Sequence, residues 1–236
     1  MARYTRHQLK QDKFAEAAAD TVSWVAAHQQ KLVTATIVAA VVLVIGVGGW
    51  FYLEQRDQEA SLALGKAVRI QEAPLRNPKA PVQPGFVTFP TAAERAKAAQ
   101  KEFQAVADKF PYTRSAEVAR YFVAVTARDA GDTATAERQL KEIAASRNPD
   151  LAPLAKFALA SLYRTTKRTA EAIQIYKELI ERPSGSVPKA TAQLELASVY
   201  EADQPAEAIR IYQQVKTENP QGPAGEIAAS RLGAAR

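Results

Sequence analysis

The chain has 236 residues, enough for one sizeable domain with an appendage; 47% hydrophobic residues, abundant Ala, Glu, Lys, Leu and Gln, and only 10 Gly favour helix throughout. Cysteine is absent, which excludes disulfides and thiolate metal sites, and both histidines, His7 and His28, lie before residue 54, so the main body holds no zinc site and no His-dependent triad. The net charge of +6 divides into +2 over residues 1–31 and +4 over 54–236, with acidic and basic residues interleaved, which describes a solvated mixed surface and excludes a nucleic-acid-binding patch.

Residues 1–31 form a cytoplasmic N-terminal segment that places Phe14, Ala18, Val22 and Val25 along one helical stripe, with Trp24 near its end. Such a segment either lies at the membrane interface or stands as a solvated helical stub. Residues 32–53, "LVTATIVAAVVLVIGVGGWFYL", hold 22 positions without a charge. At about 1.5 Å per residue this helix crosses a hydrocarbon core of about 30 Å. The 31 residues before it and its own length exceed the dimensions of a cleavable signal peptide, although Ala60-Ser61-Leu62-Ala63 resembles a cleavage site. Trp50-Phe51-Tyr52 reads as an interfacial aromatic belt. Arg3, Arg6, Lys10, Lys13 and Lys31 precede the span, whereas only Arg56, Lys66 and Arg69 follow closely. That bias keeps the N-terminus in the cytoplasm and exports the remainder, to the periplasm in a bacterium. Ala35, Ala39 and the Gly46, Gly48, Gly49 cluster leave room for a second helix to approach.

After the span, helix continues through "EQRDQEASLALGKAV" until residues 73–90, "APLRNPKAPVQPGFVTFP", where five prolines prevent it. Phe86, Val87 and Phe89 lie among those prolines, either as a second contact site or as parts of a loop. Beyond the insert the chain repeats itself. Ala134, Ala170 and Ala206 recur at intervals of 36 and 36, and Pro111, Pro149, Pro183 and Pro220 at 38, 34 and 37. A period of this size resembles the tetratricopeptide repeat, with its Leu-Gly-x-x-Tyr, Ala-x-x-x-Phe and Pro pattern. One unit reads Leu159-Ala160-x-x-Tyr163, Ala172-x-x-x-Tyr176, Pro183; the next reads Leu196-Ala197-x-x-Tyr200, Ala208-x-x-x-Tyr212, Pro220. A degenerate unit precedes them, with Val123, Ala124, Ala127, Ala136, Leu140 and Pro149. A first unit is split by the insert, with Leu64, Gly65 and Val68 before it and Ala99, Phe103 and Pro111 after. Residues 224–235 read as a capping helix. The expected architecture is all-α, a single N-terminal transmembrane helix followed by a tetratricopeptide-like α-solenoid over 54–236.

Each unit of such an array is a helix pair that cannot bury its apolar face alone, so stacking makes the core. The groove-lining phase of the first helices falls on Val118, Tyr121, Val125 and Arg128, then Leu154, Phe157, Ser161 and Arg164, then Thr191, Leu194, Ser198 and Glu201. Apolar and aromatic anchors with a few charges suit a protein segment or partner helix. Tyr121, Phe157 and Leu194 equally fit a role in packing the array. No glycine-rich phosphate loop and no spacing of carboxylates nominates a reaction, so the expectation is a non-enzymatic protein with no cofactor and no small-molecule substrate.

The order of cytoplasmic stub, single span, aromatic outer edge, continuing helix and tetratricopeptide-like units resembles the YfgM-type family. That resemblance implies an ancillary subunit of the bacterial SecYEG translocon in the inner membrane, working with a membrane-anchored periplasmic chaperone on emerging secreted proteins. The alternative is an envelope scaffold linking the inner membrane to outer-membrane assembly or cell-division machinery. The absence of a lipidatable Cys separates the chain from lipoprotein assembly factors.

Overall fold

The computed structural model describes residues 29–76 and 87–234. The stripe at Phe14–Val25 and most of the proline-rich insert, Phe86 included, lie outside the described residues. The chain divides into two compact units, Met1–Gln55 and Arg56–Arg236.

Helix α1 runs over Gln29–Gln71 without a break. In the first unit it presents its apolar side chains to the outside, with Val44 68% and Phe51 66% exposed. Each side chain of this kind gains about 1.5–3 kcal/mol on leaving water. The stretch is long and apolar enough to cross a membrane. Its polar Thr34 is satisfied within the helix, donating from Oγ1 to the Gln30 carbonyl at 2.8 Å.

In the second unit α1 turns one face to the core. Ala60 and Ala67 are fully buried, and Ala63, Leu64 and Val68 are half-buried beside them. The helix stops at Gln71, ahead of Pro74. The ends of the proline-rich insert are then clipped together by a parallel bridge between Leu75 and Phe89. Arg76 N–H donates to the Phe89 carbonyl at 2.7 Å, and Phe89 N–H to the Pro74 carbonyl at 3.2 Å. Arg95 adds a bond from Nη1 to the Ala73 carbonyl at 3.0 Å.

Among the described residues eight helices follow: α2 (Ala92–Lys109), α3 (Arg114–Asp129), α4 (Thr133–Ala144), α5 (Leu151–Thr165), α6 (Thr169–Glu181), α7 (Lys189–Tyr200), α8 (Pro205–Glu218) and α9 (Pro223–Ala234). Their starts are written locally. Thr91, Thr113 and Asp132 accept from the backbone N–H three residues on, and Asn148 Oδ1 accepts from Asp150 and Leu151 N–H. Pro188 precedes α7, and Pro205 and Pro223 open α8 and α9, positions where a missing N–H costs nothing. From α2 onward each helix packs on the next, and α3 also touches α5, as α7 touches α9. The α3/α4, α5/α6 and α7/α8 hairpins thus follow one another along the stack, and α9 packs on both helices of the last one.

Two core clusters result. The smaller joins Ala60 and Ala67 of α1 to Ala99, Phe103 and Val106 of α2 and Ala119 and Val123 of α3. The larger runs from Ala124 and Ala127 of α3 to Ala228 of α9. Helix α3 thus feeds both. The repeated positions do what the phase predicts: Ala136, Leu140, Ala172 and Tyr176 are fully buried, with Ala208 at 3% and Tyr212 at 4% exposed.

The turn between α3 and α4 places Gly131 at φ 88°, and the corresponding turn between α5 and α6 places Lys167 at φ 62°. Glycine takes this left-handed conformation freely and lysine does not. Lys167→Gly is therefore expected to stabilise the fold by about 0.5–1 kcal/mol. The check is a raised urea midpoint at unchanged slope.

Candidate functional site

Helices α3, α5 and α7 are the first members of their pairs, and their shared face carries the residues expected to line a groove. Tyr121, Val125 and Arg128 of α3, Leu154, Phe157 and Ser161 of α5, and Leu194 of α7 are all half-buried. Arg164 and Glu201 are exposed, the latter one residue past α7. The apolar members each rest one side on the larger core cluster. Phe157 meets the Tyr176 ring edge to face, centroids 5.7 Å apart, and Tyr121 meets Phe122 similarly at 5.6 Å. Packing and exposure coexist in the same side chains.

The charges on this face already have partners. Arg128 donates from Nε and Nη2 to Asp129 Oδ1 at 3.0 and 2.9 Å. Arg164 Nη2 lies 3.8 Å from Glu195 Oε2. Glu201 Oε1 accepts from the Tyr212 hydroxyl at 2.7 Å and faces Arg231 Nη1 at 3.7 Å. Between α5, α7 and α9 lies a pocket of about 440 Å³ whose lining includes Arg164, Thr191, Leu194 and Ser198. Its far wall, Ile227 and Arg231, comes from α9. The sequence pattern did not place the capping helix on this surface, because the repeat contains no counterpart of it.

Titration keeps the tyrosines of this face neutral. Burial raises Tyr121, and burial raises Tyr212 further, with its bond to Glu201 reinforcing the effect. Tyr176 is pushed up to about 12, by burial first and by Glu195 second. Its hydroxyl is buried without a hydrogen bond of acceptable geometry, although Arg164 lies near enough to act on its charge. These phenols are donors and packing surfaces, with nothing to make them nucleophiles. Among the described residues no group of three His, Cys, Asp or Glu side chains could hold a metal ion. Phe89 is half-buried in the bridge at the base of the insert, apart from Phe86, which lies outside the described residues.

An ion network that the sequence did not announce joins α4 to the α5/α6 hairpin. Glu137 accepts from Arg168 Nη1 at 2.7 Å, Lys141 Nζ at 2.6 Å and the Tyr163 hydroxyl at 3.1 Å. The Arg168 guanidinium lies 3.9 Å above the Tyr163 ring and also bonds Glu171. Two of these pairs, Glu137–Lys141 and Arg168–Glu171, lie four and three residues apart on one helix or its start, whereas the bonds of Glu137 to Arg168 and Tyr163 cross 31 and 26 residues. Arg168 first, then Lys141, lowers Glu137 to about 2 from an ordinary value near 4.5. A depressed folded pKa means stability present above the ordinary carboxylate range and lost as pH falls from about 4.5 to about 2. Glu137→Gln is expected to cost less than about 1 kcal/mol near neutrality, since the network is partly exposed. Urea midpoints should show that cost shrinking across the same acid window.

Residues 22–222 match the family of the tetratricopeptide repeat-like domain. Among solved structures, nearly identical TPR-like repeats from Podosopora anserina, assigned as a putative kinesin light chain, match at TM-score 0.56 and 15% identity, covering 76% of this chain and 86% of that one. A singly substituted form of the same repeats matches at TM-score 0.56 and 16% identity, covering 76% and 85%. At such identity the likeness is one of fold. No curated protein matches the chain in sequence.

Proposed function

Since the chain belongs to the tetratricopeptide repeat-like domain family, a class of domain that binds protein partners in general, we propose that it is a membrane-anchored protein-binding module of the bacterial inner membrane. In this reading α1 spans the bilayer once over 32–53, residues 1–31 are cytoplasmic and residues 54–236 are periplasmic. The module serves as an ancillary translocon subunit that passes emerging proteins to a membrane-anchored chaperone, as the YfgM-type layout of the chain implies. It performs no catalysis of its own.

The observation that carries the binding role is the face of α3, α5 and α7, where aromatic and aliphatic side chains are half exposed between ion pairs that already balance. An apolar segment gains from such anchors without having to neutralise a net charge. An exposed run of uncharged side chains on α1 supports the anchor.

Two experiments test the reading. A photo-crosslinking residue at Arg164 or Thr191, both exposed in the α5–α7–α9 pocket, is expected to capture translocon or chaperone components in intact cells. Capture restricted to outer-membrane assembly or division proteins would favour the scaffold instead. Because the chain has no Cys, Gln58→Cys provides a unique thiol at an exposed position. Its labelling by an impermeant reagent from the periplasmic side is expected, and labelling only from the cytoplasm overturns the topology.

A further inference from the structure

Helix α9 is built as the first member of a helix pair. Its Leu232-Gly233 repeats the Leu-Gly step of the tetratricopeptide pattern, which Leu159-Ala160 carries in α5 and Leu196-Ala197 in α7. Those four earlier residues are buried, each pair in a hairpin whose second helix brings its own buried alanine, Ala172 or Ala208. Gly233 is exposed, and a Cβ added there would meet nothing within 4 Å. Helix α9 itself is firmly placed. Its Gly225 lies so close to the end of α8 that a Cβ would fall 1.8 Å from the Asn219 carbonyl oxygen, a distance only glycine permits.

Within the stack each first helix carries a second helix packed on it, α4 on α3, α6 on α5 and α8 on α7, whereas α9 has none among the described residues. In its place α8 and α9 border an open groove of about 590 Å³, whose lining includes Ile209 and Lys216 of α8 and Ala229, Leu232 and Gly233 of α9. Ile173, one repeat earlier, packs against the larger core; Ile209, 36 residues on, faces this groove. Ile227 and Arg231, which wall the pocket between α5, α7 and α9, lie elsewhere on α9. At 3.6 residues per turn they stand about 200° around the helix from Ala229 and Gly233.

The inner hairpins show what fills such a seat. It is a helix with a small residue and, four residues on, a large apolar or aromatic one: Ala136 and Leu140 on α4, Ala172 and Tyr176 on α6, Ala208 and Tyr212 on α8. In this chain those stripes are already buried, so a second copy offers one only by unfolding. We propose that the α8/α9 groove is a docking site for an amphipathic helix of a partner protein, whose Ala-x-x-x-Tyr or Ala-x-x-x-Leu stripe closes on Leu232 and Gly233 while a flanking carboxylate meets Lys216. The partner completes the pair that α9 begins and lengthens the stack by one helix. The site is separate from the α3/α5/α7 face and independent of what binds there.

A synthetic peptide with the sequence of α6, Thr169–Glu181, is the probe, since it carries the stripe and is acidic, with Glu171, Glu178 and Glu181 against Lys177. With Ala172→Cys in the peptide and Gly233→Cys in the full-length chain in detergent micelles, disulfide formation is expected several-fold faster than with Ile227→Cys in the chain. Tyr176→Glu in the peptide should remove that advantage, and Lys216→Glu in the chain should reduce it. Equal rates at 227 and 233, or a rate indifferent to Tyr176, overturn the proposal. Fluorescent peptide of unaltered sequence gives a second reading. Gly233→Phe fills the open seat without a clash, so it should abolish saturable binding and leave the urea midpoint of the chain unchanged. Binding that survives Gly233→Phe overturns the site. If sedimentation shows the chain dimerising and Gly233→Phe makes it monomeric, a second copy fills the groove and the partner assignment falls.

Discussion

Tyr176→Ala is expected to destabilise the repeat domain by about 3–5 kcal/mol, the range for emptying a large aromatic site in a packed core. Tyr176 is fully buried on α6 and is the largest such side chain among the described residues. Its ring supports Phe157 edge to face, so removal would also loosen a residue of the proposed binding face. Chemical denaturation gives the loss, and the affinity of any partner captured at Arg164 gives the coupling to binding. Tyr176→Phe is the informative companion. It keeps the ring and deletes a buried hydroxyl that has no bonded partner, so stability should stay level or rise. A large loss in the Phe variant would mean that Arg164 bonds the hydroxyl in solution.

Phe103→Ala should cost a similar amount, about 3–5 kcal/mol, but in a different place. Phe103 is fully buried in the smaller cluster and stacks on Phe122 with centroids 4.9 Å apart and planes 14° from parallel. The cluster holds α1 from Ala60 onward, α2 and one side of α3, while the other side of α3 belongs to the larger cluster. Stacked repeats exchange energy only with their neighbours. Hydrogen exchange is therefore expected to speed up strongly in α2 while the amides of α6 and α8 keep most of their protection. Uniform loss across all helices would show that the stack melts as one body.

Much of this architecture could be read from residue types alone. Ala136, Ala172 and Ala208 recur because the second helices of three successive pairs, α4, α6 and α8, meet their neighbours at one small contact, and Tyr176 and Tyr212 recur because the adjoining space is the same. Pro183 and Pro220 recur where helices end. The proposed binding face was legible only as a phase: which positions share it was carried over from the groove-lining phase of the tetratricopeptide repeat that the sequence resembles, whereas the half-burial of Phe157 and Leu194 depends on how closely the next pair stacks. What escaped were bonds between residues far apart in the chain. Arg168 reaches Glu137, and Asp57 reaches Ser115, only once the hairpins have docked. The left-handed turns at Tyr112 and Lys167 escaped too, since neither residue type announces that conformation.

The clasp formed by Leu75 and Phe89 has an engineering consequence. Because its backbone bonds and the Arg95 strut fix where the insert leaves and rejoins the stack, what lies between residues 77 and 86 does not set the register of α1 against α2. Closing a longer loop over a fixed base costs little, about 0.6 kcal/mol for each doubling. The protein thus carries a built-in splice point, where a fluorescent reporter or an affinity handle can be inserted within the chain instead of at a terminus.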